Sequence, residues 1–158
     1  MSTPQDFQPA FKRVQQENDH DCALACIAMI TGKTLAEVKQ VAFDKNYLKH
    51  GPYWISEEAI CKLLAHFGWV ATLWKESTGL ASIPDLAIGM VEYDPELEIG
   101  RHVLFHRQFA GTKQAVEYII DPAYWVPVEK QVRVDIKGFP ISWFIGVTQM
   151  NPPATGKK

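Results

Sequence analysis

Apolar positions in the first half of the chain recur at helical spacing. Residues 22–30 read CALACIAMI, apolar all round, with Asp21 in front as an N-cap and Gly32 behind as a left-handed stop. Thr34 and Glu37 stand three apart before LAEVKQVAF, the spacing of a capping box, and Leu35, Val38, Val41 and Ala42 form one stripe. Ser56 is placed to cap a third helix with the face Ala59, Ile60, Leu63, Leu64 and Phe67, ended by Gly68.

The second half changes period. Residues 69–74 (WVATLW), 86–93, 101–109, 115–121, 131–136 and 143–149 are short, rich in aromatic and β-branched residues, and separated by Gly- or Pro-containing turns. The turn at 110–113 joins the third and fourth of these runs as a hairpin. Helices followed by antiparallel strands predict an α+β protein, with the N-terminal helices packed on an antiparallel sheet. Residues 1–13 read as a loose arm, 14–150 as one domain, and 151–158 (NPPATGKK) as a flexible tail.

Composition narrows the function. The 158 residues are 47% hydrophobic and 22% charged, with 16 Lys and Arg against 18 Asp and Glu. A net charge of −2 offers no basic excess for a phosphate backbone, which argues against a nucleic-acid partner. The start carries Asp6, Glu17, Asp19 and Asp21 and lacks the apolar core of a signal peptide, and the clean apolar stretch from Cys22 to Ile30 is too short for a membrane span. The expectation is a cytoplasmic protein, although a protein exported without a cleaved signal has the same pattern. Three cysteines are too few for a disulfide framework and point to a reducing compartment or one reactive thiol.

Cys22 is the candidate for that thiol. At a helix N-terminus, the unpaired N–H groups and the helix dipole favour a thiolate, which is the nucleophilic form. A base is also needed, and His102 opens an apolar strand after Gly100 and Arg101. Asp121 ends the next run, YIID, so a hairpin brings the start of one strand beside the end of the other. His102 and Asp121 then share one edge of the sheet, as a Cys–His–Asp triad requires. Gln16 lies six positions before Cys22, within reach of the same site, where its amide and the Cys22 N–H can hold an oxyanion.

These residues carry a resemblance. Gln16, Asp21 and Cys22, followed by ALACIAMI, look like the start of the C39 peptidases, the papain-like cysteine peptidases that remove leader peptides from bacteriocins. The likeness continues through residues 35–41, the exit HFGW, residues 83–93, His102-Val-Leu and Ile120-Asp121-Pro122, and so spans about residues 14–149. It implies a papain-like fold and a peptide or protein substrate, with Cys22 as nucleophile, His102 as base and acid, Asp121 as orienter and Gln16 in the oxyanion hole. It implies no cofactor and no metal. The chain departs from the family at Ala23, where glycine is usual, and at the family's frequent fusion to a membrane exporter. A separate exporter, or an immunity protein, is the corresponding expected partner.

Trp54 and Trp125, in the expected loops GPYWI and DPAYW, are candidates to line a substrate groove. Cys26, one turn after Cys22, and Cys61 read as packing residues, and His106 shares the strand face of His102. A zinc site drawn from Cys22, Cys26, Cys61 and His66 has no familiar ligand spacing, Gly32-Lys33-Thr34 lacks the first glycine of a phosphate loop, and no GxSxG elbow occurs. Two rival functions use the same features: a C39-like module that binds a peptide without turnover, and a cysteine-dependent toxin or effector acting on a non-leader amide.

Overall fold

The computed structural model describes residues 8–17, 21–44, 57–96, 99–136 and 139–150. Among them are the helices α1 (Cys22–Thr31), α2 (Leu35–Asp44) and α3 (Glu57–His66). Seven strands follow: β1 (Trp69–Ala71), β2 (Lys75–Glu76), β3 (Leu86–Asp94), β4 (Ile99–Gln108), β5 (Val116–Ile120), β6 (Val132–Arg133) and β7 (Ile141–Gln149). All pairings are antiparallel and the order is β1-β7-β3-β4-β5-β6, with β2 also on β7. The α+β expectation is met.

The helix ends follow local chemistry. Gly32 adopts φ 71°, and its N–H donates to the Ala28 carbonyl, closing α1 as a left-handed stop. The Thr34 N–H donates to Glu37 Oε1 at 2.9 Å and the Glu37 N–H to Thr34 Oγ1 at 3.0 Å, the reciprocal pair of a capping box. Asp21 occupies the N-cap position of α1, but its side chain does not cap. Its carboxylate instead accepts from the Glu17 N–H at 3.1 Å and pairs with Lys39 of α2 at 3.0 Å, because a full charge on α2 competes for it. The expected Ser56 cap lies outside the described residues.

Burial explains the layers. A helix apolar on every side must be enclosed. α1 is buried from Cys22 to Ile30, packed against α2, α3 and β4. Its core continues onto one face of the sheet through Ile88, Leu104, Tyr118, Ile120 and Ile145. Strand neighbours point the other way, and Ala87, Val103, Phe105, Ile119 and Phe144 form a second core with Ile83, Ile136 and Phe139. His102 and His106 share the parity of Leu104 and so belong to the face that meets α1.

Strand expectations change in extent, most at the first and the last two runs. Residues 69–74 were expected as one strand, yet β1 stops at Ala71 and β2 begins at Lys75. Ala71 faces Val147 while Lys75 faces Phe144, so the register slips by one residue between them. Thr72 fills the break: its Oγ1 accepts from the Gly146 N–H at 2.9 Å, a bond that a backbone carbonyl makes in an unbroken ladder. The run 131–136 pairs only at Val132 and Arg133, because Ile136 and Phe139 are drawn into the second core. β7 begins two residues earlier than expected, at Ile141.

Part of the expected loose arm is tied down. The Ala10 N–H donates to Gln108 Oε1 at 2.7 Å, Gln108 Nε2 donates to the Gln8 carbonyl at 2.8 Å, and Arg13 donates to the carbonyls of Asp121 and Ala123, both at 2.7 Å. No helix among the described residues is long and apolar enough to cross a membrane.

Candidate active site

Cys22 is the first residue of α1, and His102 is the fourth of β4. The sheet lays His102 against the helix end, with Cys22 Sγ 3.1 Å from His102 Nδ1. The His102 backbone N–H points at the same sulfur from 3.3 Å. Only 8% of Cys22 is exposed. Burial opposes ionisation of its thiol. The charge of His102, the hydrogen bonds from its ring and its backbone, and a further one from the Ala23 N–H outweigh that cost, so the thiol lies below its ordinary range. Trp74 covers the imidazole, its ring centroid 5.5 Å away and tilted by 42°. The Trp74 backbone N–H donates to the Glu57 carboxylate.

Asp121 reaches the expected end of β5, just beyond Ile120. Leu104 faces Ile120, and the same register continued brings Asp121 alongside Val103, next to His102 in the chain. The expected bond to His102 is not made. Asp121 Oδ1 accepts from Arg101 Nη1 at 2.8 Å and from the Ala123 N–H at 3.0 Å. Asp121 is 1% exposed, and its Oδ2 has no hydrogen-bond partner among the described residues. The physical reason is charge: the guanidinium of Arg101 offers a full positive partner to a carboxylate removed from water.

Gln16 is also 1% exposed, and its backbone N–H donates to the Pro122 carbonyl at 2.8 Å. That bond seats Gln16 on the loop carrying Asp121, while the chain from Gln16 leads directly to Cys22. Lys39 bridges Glu17 and Asp21, each at 3.0 Å, and so joins this connection to α2.

Trp125 is 49% exposed, four residues after Asp121, with Tyr124 edge-on at 4.9 Å and the Arg101 guanidinium 5.6 Å from its ring centroid. Trp54 lies outside the described residues. Cys26 is fully buried within the core, and burial followed by the negative charges of Cys22 and Asp121 holds its thiol well above the ordinary value. Cys61 is partly exposed on α3, and its thiol is also raised, by burial and then Glu57. His106 bonds Tyr118 through Nδ1 at 2.9 Å, and burial lowers its proton affinity. Among the described residues no group of three His, Cys, Asp or Glu side chains is placed to hold a metal ion.

Sequence reasoning did not assign roles to Trp74, Arg101, Lys39 or Arg13. A charged residue adjoining His102 was visible, but its carboxylate partner lies twenty positions away. Trp74 stood out only as the end of the apolar run 69–74.

Comparison with protein-family models and with curated proteins finds no match. Among solved structures, a double glycine motif protease from an AMS/PCAT transporter, in complex with the leader peptide, matches with a TM-score of 0.55. The match covers 92% of this chain and 96% of that one, at 15% sequence identity. At that identity the likeness is one of fold: three helices on an antiparallel sheet, as in that double glycine motif protease.

Proposed function

We propose that this protein is a thiol hydrolase of C39-like type that cleaves a peptide or amide bond. The observation that carries the reading is the 3.1 Å approach of Cys22 Sγ to His102 Nδ1 at the start of a buried helix, with the thiol below its ordinary range. His102 takes the Cys22 proton on Nδ1. The thiolate attacks the carbonyl carbon, and the electron pair moves to oxygen. The Cys22 N–H, a first-turn donor without an acceptor inside its own helix, and the Gln16 amide hold that oxyanion. His102 then gives its proton to the departing amine. Water, deprotonated by His102, releases the acyl group. Asp121 orients the imidazole through Oδ2, an oxygen that is buried and lacks another partner among the described residues. Trp125, exposed beside the Asp121 loop, is proposed to contact the substrate, with Trp54 as a second contact on the sequence reading.

A peptide is the proposed substrate, because the structural neighbour was solved with a leader peptide. The direct test is incubation with peptides carrying a Gly-Gly segment and mass analysis of the products. Cleavage by the wild type and none by Cys22→Ala is the expected outcome. Equal cleavage by both ends the proposal.

The lack of a hydrogen bond between Asp121 and His102 favours a second reading, a C39-like module that binds peptides without turnover. Binding that survives Cys22→Ala, with no cleavage by the wild type, selects it. An effector acting on another amide uses the same chemistry, and toxicity that depends on Cys22 identifies it.

A further inference from the structure

Arg101 reaches carboxylates on two sides. Its Nη1 donates to Asp121 Oδ1 at 2.8 Å and its Nε to Glu92 Oε1 at 2.7 Å. Glu92 sits where β3 loses register with β4, at φ 53°, a backbone conformation that a side chain with Cβ rarely adopts. The guanidinium is mostly shielded and flanked by the Trp125 and Phe139 rings at 5.6 and 5.8 Å. So much surrounding structure leaves Arg101 little freedom. Its grip on Asp121 is one-sided: Oδ1 receives two donors and Oδ2 receives none among the described residues. A buried carboxylate oxygen without a donor is costly, and such a group in a folded protein calls for an explanation. His102 provides one. It follows Arg101 in the chain, and its Nδ1 is committed to Cys22.

We infer that Arg101 is a positioning residue for the acid of the site: it anchors Asp121 by Oδ1 so that Oδ2 is held for the His102 imidazole. This rests on the thiol-hydrolase reading. Glu92 and the flanking rings hold Arg101, Arg101 and the Ala123 N–H hold the carboxylate, and the carboxylate sets the ring that activates Cys22. The other charged or titratable groups that feel Asp121 are Arg13 from the N-terminal segment and Cys26 from α1; Cys26 feels both Asp121 and Arg101, which places the pair close to the helix.

The test is a double-mutant cycle read by the rate of Cys22 alkylation with iodoacetamide, mapped by mass spectrometry across pH. Arg101→Met is expected to slow Cys22 labelling about tenfold at neutral pH and to move its profile to higher pH, since a less firmly set His102 ring lowers the Cys22 thiol less. In an Asp121→Ala background Arg101→Met is expected to change the rate less than about twofold, because both substitutions break one linkage. Arg101→Lys, which keeps the charge without the fork, is expected to restore part of the rate and serves in place of Arg101→Met if that variant does not fold. Losses that multiply across the cycle, or an Arg101 variant with the wild-type rate and profile, overturn the positioning role and leave the hydrolase reading intact. A wild type labelled no faster at Cys22 than at Cys61 removes both.

Discussion

Cys22 Sγ and His102 Nδ1 are eighty residues apart in the chain and 3.1 Å apart in space, and the His102 backbone N–H faces the same sulfur at 3.3 Å. Ring and backbone of one residue therefore act on one sulfur. The backbone contact is fixed by the β4 ladder, in which Met90 of β3 stands opposite His102. The ring contact depends on side-chain rotation, which Trp74 restricts.

Thiol reactivity at neutral pH should separate the cysteines. Cys22 is lowered, while Cys26 and Cys61 are raised. Since one pKa unit is tenfold in thiolate population, Cys22 is expected to react with iodoacetamide on the order of tenfold or more faster than Cys61 at pH 7. His102→Ala removes the contacts that lower the thiol and leaves the burial that raises it. Its labelling curve is therefore expected to shift to higher pH. Peptide mapping after timed quenching reads both effects, and an unmoved curve contradicts the assignment of the base.

Gln16→Ala should split two chemistries. An oxyanion forms when a carbonyl is attacked but not when iodoacetamide is displaced. The substitution is expected to lower peptide turnover by about 10²–10³-fold while Cys22 alkylation stays near the wild-type rate. Parallel loss of both rates would assign Gln16 to the folding of the site instead of the oxyanion.

Gly100→Ala should disturb β4 two residues before His102. A Cβ there lies 2.6 Å from the Met90 side chain and 2.8 Å from the Val91 carbonyl oxygen. Met90 can rotate aside, but the backbone oxygen must move with its strand. The expected cost is about 1–3 kcal/mol in urea unfolding, together with slower Cys22 labelling. A variant with unchanged midpoint and labelling rate would show that β3 and β4 yield there freely.

Cys26→Ser tests the packing role of the second thiol. Cys26 is enclosed in the apolar core between the helices and the sheet. A hydroxyl in that setting without a new partner is expected to cost about 1–3 kcal/mol, measured by chemical denaturation, with Cys22 reactivity retained. Loss of Cys22 reactivity at full stability would instead tie Cys26 to the chemistry.

The chain's local chemistry is legible because its partners are close in sequence. The capping box needs Thr34 and Glu37, the end of α1 needs Gly32, and the enclosed helix needs nine apolar residues in succession. The juxtaposition of Cys22 and His102 was also inferable, because a nucleophile at a helix start and a base at a strand start are few in a chain with five histidines.

Other features depended on competition between distant groups. Asp121 bonds Arg101 instead of His102, Asp21 bonds Lys39 instead of capping its helix, and Thr72 stands where the strand of an apolar run stops after Ala71. In each case a polar group can take one of several partners. Sequence spacing states which partners exist, and burial with the relative placement of elements decides which one wins. Sequence alone thus determined the α+β class, the helix stops and the candidate residues of the site. Tertiary structure decided how the strands are ordered, which carboxylate each cation holds, and where Asp121 rests, because those are choices among long-range contacts of similar local merit.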